Sequence, residues 1–212
     1  MSSDSENLYL IADELQAIAN LGHHYSKDEH DLDRYHKVRA ISARIIATIE
    51  NRSPDEILEQ LQDNTGHMSP LMGAEGAVFK DDQLLLIKRH DNGLWAIPGG
   101  LVDVGESLAE AAERELLEET QIQGRATKLM GIFDSRIWKT KKNVHLYHAI
   151  FLVESDDPSP TITSEATDVG YFSVDQLPPL SPGHHQRVPV VFQLYHGEKP
   201  MPFFDQTAES PS

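Results

Sequence analysis

The chain has 212 residues, no cysteine, and 18 Lys and Arg residues against 34 Asp and Glu residues, so its net charge is −16 at pH 7. The lack of cysteine excludes disulfide bonds, thiolate metal sites and thiol nucleophiles, and the acidic charge disfavours nucleic acid as a partner. No apolar run approaches the roughly 20 residues of a membrane span and the N-terminus carries no secretion signal, so we expect a cytoplasmic protein without membrane partners.

The first 66 residues have the periodicity of helices. Apolar side chains recur at helical spacing in the first of them, at Leu8, Ile11, Leu15 and Ile18. Gly22 predicts the end of this helix. A second helix is predicted over residues 31–50, and a third begins after Ser53, which starts a capping-box sequence. We therefore predict a small helical domain over residues 1–66.

The region from residue 67 to residue 204 is predicted to form a second, α/β domain. Strand-like segments occur at residues 76–79, 83–88, 95–98, 128–133, 145–154 and 169–172. Ser107 and Glu110 form a capping-box sequence that starts one helix, and another helix is predicted over residues 188–195. The polar residues 205–212 are predicted to be a disordered tail.

The acidic helix after Ser107 is the most informative segment of the sequence. With about 100° per residue, three of its glutamates continue its apolar face: Glu115, Glu118 and Glu119. Turning unpaired carboxylates toward the protein is costly, and the usual compensation is a hard divalent cation such as Mg²⁺ or Mn²⁺. A solvated acidic face is the alternative, and the angular positions disfavour it. Because Mg²⁺ commonly shares its ligands with phosphates, the helix predicts a metal-dependent reaction on a phosphoanhydride.

The residues around this helix resemble the Nudix box, G-x5-E-x7-R-E-U-x-E-E-x-G-U. The matching positions are Gly100, Glu106, Arg114, Glu115, Leu116, Glu118, Glu119 and Ile122. Gln121 stands where the motif has a glycine that ends the helix with a positive φ. The sequence therefore predicts either a left-handed Gln121 or a helix that continues toward Gly124.

A longer resemblance covers about residues 8–195. The N-terminal helices and the segments 170–172 and 177–180 are similar to a Nudix subgroup described as ADP-ribose or CDP-choline pyrophosphatases. This resemblance implies a Nudix α/β/α sandwich with a mixed sheet, preceded by a small helical domain. It also implies dependence on Mg²⁺ or Mn²⁺ and a homodimer.

The same resemblance implies hydrolysis of the pyrophosphate bond of a nucleoside diphosphate linked to a group X. The products would be a nucleoside monophosphate and X-phosphate. The expected partner is a nucleotide-sugar, ADP-ribose first, or a nucleotide-alcohol such as CDP-choline as the alternative. A non-catalytic, nucleotide-sensing Nudix domain is an alternative of another class, which the complete set of glutamates disfavours.

The candidate site residues follow from the motif and its surroundings. The predicted metal ligands are Gly100, through its carbonyl, and Glu115, Glu118 and Glu119. The predicted catalytic residues are Glu118, Glu119, Glu165 and Arg114, with Arg114 as the partner that orients the glutamates. The general base stays open between the glutamates beside the metal and Glu165, which lies in a late loop.

Substrate binding is predicted at three further residues: Arg89, Trp95 and Arg136. Arg136 begins a basic segment that continues with Lys139, Lys141 and Lys142. The eleven histidines have no metal-ligand spacing such as His-Glu-x-x-His, and we therefore predict that they lie at the surface.

Overall fold

The computed structural model describes residues 3–62, 69–138 and 145–206. The chain divides into two units, Met1–Pro70 and Leu71–Ser212. The division lies slightly beyond residue 66, where the sequence predicts the end of the helical domain. None of the described helices is both long enough and apolar enough to cross a membrane.

The first unit consists of three helices. They are α1 (Ser3–Tyr25), α2 (Glu29–Glu50) and α3 (Pro54–Gln62). The predicted end of α1 at Gly22 is wrong, because the helix continues to Tyr25. A Cβ atom on Gly22 would overlap the ring of Tyr35, so the glycine allows α1 and α2 to approach closely. Asp28 caps α2 by accepting hydrogen bonds from the backbone of His30 and Asp31.

Helix α1 carries an exposed apolar stripe in addition to its buried face. Tyr9, Ala12 and Ala19 are buried, and two of them pack in the core that α1 forms with α2 and α3. Five large apolar residues on the other side are exposed, and we call them the α1 stripe: Leu8, Ile11, Ile18, Leu21 and Tyr25. The sequence therefore predicts this helix mainly from apolar residues that the structure leaves exposed.

The second unit contains nine described strands. They are β1 (Leu71–Ala77), β2 (Phe79–Lys80), β3 (Gln83–Arg89), β4 (Trp95–Ala96), β5 (Gly99–Leu101), β6 (Arg125–Asp134), β7 (Leu146–Glu154), β8 (Ala166–Phe172) and β9 (Phe203–Phe204). One sheet has the order β5-β1-β7-β6-β9, with β1 parallel to β7 and antiparallel to β5. In the other sheet β3 pairs with β2, β4 and β8. This arrangement confirms the predicted mixed sheet.

Two helices cover the sheets from opposite sides. Helix α4 (Leu108–Thr120) buries Leu116 against Val153 and its neighbours. Helix α5 (His184–Tyr195) buries Val188 and Val191 in the core that contains Ile150. The predicted α/β/α sandwich is thereby confirmed. A short 3₁₀ helix (Val174–Gln176) follows β8. Helix α5 begins four residues before its predicted start at residue 188, so Pro189 lies inside it.

Both ends of α4 have defined caps. The Ser107 side chain accepts a hydrogen bond from the Glu110 backbone, and the Glu110 side chain accepts one from Ser107 in return, which confirms the predicted capping box. At the other end, Gln121 has φ 60° and ψ 12° and its N–H donates to the Leu117 carbonyl. The left-handed alternative is therefore correct, and α4 ends where the family motif has its glycine.

The substitution Gln121→Gly should raise the free energy of unfolding by roughly 0.5–1 kcal/mol. Glycine adopts a positive φ without the steric cost that a side chain brings. Denaturant unfolding of the two proteins measures the difference. Gln123→Gly is the matched control, because Gln123 has no positive φ, and it should lower stability. A loss of stability in Gln121→Gly would contradict this account of the helix end.

The predicted tail over residues 205–212 begins with an ordered residue. Asp205 accepts hydrogen bonds from the backbone of Asp134 at 2.6 Å and from Nε1 of Trp138 at 2.8 Å. The prediction of disorder is therefore wrong at Asp205, since two long-range hydrogen bonds hold its carboxylate. Residues 207–212 lie outside the described residues.

Candidate active site

A cleft of about 670 Å³ lies among strands β1, β5 and β7, the end of α4, the start of α5 and the segment after β3. Four of the predicted site residues line it: Arg89, Gly100, Glu119 and Glu165. The structure therefore gathers residues that are up to 76 positions apart (165 − 89) at one surface.

The glycine pair at β5 allows the glutamates of α4 to approach the backbone closely. The N–H of Gly99 donates to Oε2 of Glu119 at 2.8 Å. A Cβ atom on Gly100 would overlap the carboxylate of Glu115. Any larger residue at position 100 would therefore displace that carboxylate.

Arg114 connects the glutamates of the motif. Its guanidinium donates to Glu106 at 2.7 and 3.1 Å, to Glu115 at 2.8 Å and to Glu118 at 3.0 Å. The hydrogen bond from Arg114 lowers the pKa of Glu106 to about 2. Arg114 is thus a positioning residue: it fixes the carboxylates of α4 through its own ion pairs.

The acids at the cleft are only partly compensated by cations. Burial raises the pKa of Glu119 to about 8, and the neighbouring Glu115 and Glu165 raise it too, against the N–H of Gly99 and the charge of Arg89. Burial also raises the pKa of Glu115. Excess negative charge in a partly buried site favours a bound cation.

The donor chemistry of these residues fits a hard divalent cation, because carboxylate and carbonyl oxygens are its preferred ligands. The part of the chain that the structure describes contains no group of three or more His, Asp or Glu side chains already arranged to hold a metal ion. The expected convergence of three carboxylates is therefore incomplete, since Glu118 is 44% exposed and pairs with Arg114. The structure brings together one part of the predicted metal site: Glu115 and Glu119 lie against the Gly99-Gly100 backbone.

The loop that carries Glu165 is hydrogen-bonded to the end of α4. The hydroxyl of Thr163 donates to the carbonyl of Glu119 at 3.3 Å and accepts from the N–H of Glu165 at 3.1 Å. The N–H of Thr161 donates to the carbonyl of Thr120 at 2.8 Å. These bonds satisfy carbonyls that a helix end leaves without partners. Glu165 is thereby held near Glu119.

The predicted substrate-binding residues fall into two groups. Arg89 lines the cleft and forms two hydrogen bonds of 2.9 Å with Asp91. Trp95 packs edge-on against Phe172, and Arg136 pairs with Asp134 at 2.6 Å. Neither Trp95 nor Arg136 is among the residues that line the cleft. The three lysines of the basic segment lie outside the described residues.

Four buried polar residues at the cleft were missed by the sequence reasoning, and we call them the polar quartet: Glu75, His148, His184 and Arg187. Oε1 of Glu75 accepts hydrogen bonds from Nη2 of Arg187 at 2.9 Å and from Nδ1 of His148 at 2.8 Å. Burial favours a raised pKa for Glu75, but the charge of Arg187 keeps it below the usual range. Burial lowers the pKa of His184 to about 3.

The prediction of surface histidines is therefore wrong for His148 and His184. Each is paired with a buried charged residue, which single-residue reasoning does not anticipate. One signal was present in the sequence: Glu75 and His148 interrupt segments that are otherwise apolar or small, Leu71–Ala77 and Leu146–Val153. A charged or imidazole side chain in a central strand indicates a buried polar contact.

Comparisons with known proteins agree with both units. Residues 71–194 match the model of the NUDIX domain, and residues 6–61 match the model described as "UDP-X-like, N-terminal oligomerisation domain". The putative ADP-ribose pyrophosphatase YjhB of Bacillus subtilis is 31% identical over 172 residues, which cover 81% of this chain and 83% of that protein. The ADP-ribose pyrophosphatase of Methanocaldococcus jannaschii is 29% identical over 123 residues, or 57% and 72% of the two chains.

Solved structures have the same fold. A UDP-X diphosphatase aligns with a TM-score of 0.61 at 24% identity, covering 95% of this chain and 99% of the other. An ADP-ribose pyrophosphatase from Streptococcus suis aligns with a TM-score of 0.55 at 27% identity, covering 65% and 100%. With a NUDIX-domain match over more than half of its length, the chain belongs to the Nudix hydrolase family.

Proposed function

We propose that the protein hydrolyses the pyrophosphate bond of a nucleoside diphosphate linked to X, with ADP-ribose as the preferred substrate. The products are a nucleoside monophosphate and X-phosphate. One observation carries this proposal: the buried Glu119 and the guanidinium of Arg89 line the same cleft and interact electrostatically. Acids that attract a metal cation and a guanidinium that binds phosphate are the two groups that such a substrate requires.

The proposed mechanism divides the work among the residues of the cleft. Glu115, Glu118, Glu119 and the Gly100 carbonyl would hold Mg²⁺ or Mn²⁺, which when bound polarises the diphosphate and makes a water molecule more acidic. Glu165 accepts the proton of the attacking water. Arg89 binds a phosphate oxygen, and Arg114 orients the glutamates.

The lining of the cleft favours a sugar over choline as the group X. Quaternary ammonium groups are typically recognised by aromatic rings. None of the described residues that line the cleft is Phe, Tyr or Trp, whereas several are hydrogen-bonding side chains. This composition suits hydroxyl groups and supports ADP-ribose over CDP-choline.

A hydrolysis screen tests the proposal. The substrates are ADP-ribose, CDP-choline, NADH, diadenosine polyphosphates and nucleoside triphosphates, each with Mg²⁺, with Mn²⁺ and with a chelator. We expect the highest kcat/KM for ADP-ribose and no turnover with the chelator. A preference for CDP-choline would contradict ADP-ribose as the preferred substrate but support the hydrolysis of a nucleoside diphosphate linked to X. Turnover of nucleoside triphosphates alone would contradict the proposal as a whole.

We also infer that the protein is a cytoplasmic homodimer joined through the α1 stripe. A contiguous exposed apolar surface on a small helical unit is typical of an interface, and residues 6–61 match a model described as an oligomerisation domain. A unit of about sixty residues also buries limited surface of its own. A second copy of the chain is the occupant that these observations support.

A further inference from the structure

The polar quartet contains buried polar atoms that have no hydrogen-bond partner among the described residues. They are Oε2 of Glu75, Nε2 of His148, Nδ1 of His184, and Nε and Nη1 of Arg187. A buried polar atom without a partner destabilises the folded chain. Five such atoms in one cluster beside a cleft therefore indicate that a bound group satisfies them.

The unsatisfied atoms include both donors and acceptors. The free oxygen of Glu75 can only accept, whereas the free nitrogens of Arg187 can only donate. Nε2 of His184 lies 3.3 Å from Nη2 of Arg187, which donates to it, so Nδ1 of His184 carries a hydrogen. The bound group must therefore both donate and accept hydrogen bonds.

The charges of the quartet disfavour a phosphate and an ammonium group as its ligand. The carboxylate of Glu75 repels a phosphate, and the guanidinium of Arg187 repels an ammonium group. A hydroxyl is uncharged and both donates and accepts. The quartet therefore suits either the hydroxyls of a sugar or the edge of a base.

The quartet is also next to the acids of α4. A Cβ atom on Gly99 would lie 2.7 Å from Cγ of Glu75, and the N–H of the same glycine binds Glu119. Gly99 thus lies against both side chains, Glu75 of the quartet and Glu119 of α4. A group bound to the quartet would therefore lie next to the phosphate undergoing reaction, where the substrate carries a pentose and not its base.

We propose that the polar quartet is a subsite for the vicinal hydroxyls of a pentose joined to the diphosphate; the proposal rests on the proposed pyrophosphatase function. The five atoms are shielded from bulk water in this structure, while the side chains of His148 and His184 keep 11% and 9% of their surface exposed. All four residues of the quartet line the cleft, so a ligand in the cleft reaches them at these two partly exposed rings.

Calorimetric binding tests the subsite independently of turnover. The ligands are the α,β-methylene analogue of ADP-ribose, the same analogue with a propyl group in place of the terminal ribose, and its 2′,3′-dideoxyadenosine form. In Mg²⁺ the full chain should bind the α,β-methylene analogue at least about tenfold more tightly than one of the two altered ligands, because that ligand loses one or two hydrogen bonds. The ligand that loses affinity identifies the pentose.

His148→Phe keeps a planar ring, slightly larger than imidazole, and removes both nitrogens. It should bring the ratio of the two affinities close to one without changing the affinity for the ligand that lacks the recognised hydroxyls. Glu75→Leu combined with Arg187→Met removes the ion pair as a whole, which is milder for folding than removing one partner, and should have the same effect. His90→Gln is the control, because His90 lines the cleft outside the quartet, and should keep the ratio.

Three results would overturn the subsite: equal affinities of the natural chain for all three ligands, no binding of any of them, or an unchanged ratio in both quartet variants. The first would mean that ordered water satisfies the cluster. A chain that keeps the affinity preference but does not hydrolyse ADP-ribose would instead refute the pyrophosphatase function and leave the subsite standing.

Discussion

Glu119→Gln should lower kcat by about three orders of magnitude, which corresponds to the several kcal/mol that a metal ligand contributes to a transition state. The substitution removes the negative charge at the centre of the acids of α4. It preserves the fold, because the amide oxygen of glutamine still accepts the hydrogen bond from the N–H of Gly99. Steady-state hydrolysis of ADP-ribose in saturating Mg²⁺ measures the effect.

The same variant should melt at a higher temperature in metal-free buffer. Burial raises the pKa of Glu119 in the folded chain from 4.5 to about 8. Because the folded chain holds this proton more tightly than the unfolded chain, the free energy of unfolding of the wild-type protein falls as the pH rises from about 4.5 to about 8. Below about pH 4.5 the carboxyl is protonated in both states and costs no stability. Glutamine has no such proton to lose, so the difference in Tm should grow across this window. Added Mg²⁺ should stabilise the wild-type chain more than the variant.

Glu113→Gln provides the matched control on the same helix. Glu113 lies away from the cleft, and its carboxylate accepts a hydrogen bond from the backbone of Ala126, which glutamine can also accept. Its kcat should stay within about twofold of wild type. Equal losses in the two variants would show that α4 tolerates no change of charge, and would remove the specific role of Glu119.

Ile18→Glu should convert the protein from a dimer to a monomer. Ile18 is 57% exposed in the middle of the α1 stripe, and a carboxylate there would be buried without a partner against the second copy. Light scattering should give about twice the 23.8 kDa chain mass for the natural protein and the single-chain mass for the variant. Circular dichroism should show unchanged helix content, because the position is exposed within the unit.

Val174→Glu is the control for added charge. Val174 is an exposed apolar residue of the second unit, and the variant should remain a dimer. A natural protein with the mass of one chain, or an Ile18→Glu variant that stays dimeric, would refute an interface at the α1 stripe.

The parts of the structure that the sequence predicts well depend on residues that are close together in the chain. Helix α4, its capping box and its left-handed end all lie within fifteen positions, from Ser107 to Gln121. Spacing and local hydrogen bonding determine these features. The placement of Glu119 toward the protein follows from the same periodicity.

The polar quartet could not be predicted in the same way. Glu75 and Arg187 are 112 positions apart and meet only in the folded second unit. Arg136 illustrates the opposite error: its charge suggests a substrate contact, yet it pairs with Asp134 and, unlike Arg89, is not among the residues that line the cleft. Residue type alone cannot distinguish a charge that faces a cleft from one that a neighbour neutralises.

Phosphorus NMR of ADP-ribose incubated with the protein and Mg²⁺ tests the proposed reaction most directly. Cleavage between the two phosphorus atoms, assisted by the acids of α4 beside Arg89, predicts that the diphosphate signals disappear. Two phosphomonoester signals, AMP and ribose 5-phosphate, should replace them in equal amounts, and a chelator should prevent the change. Release of inorganic phosphate, or unchanged diphosphate signals with either metal, would contradict the proposed function.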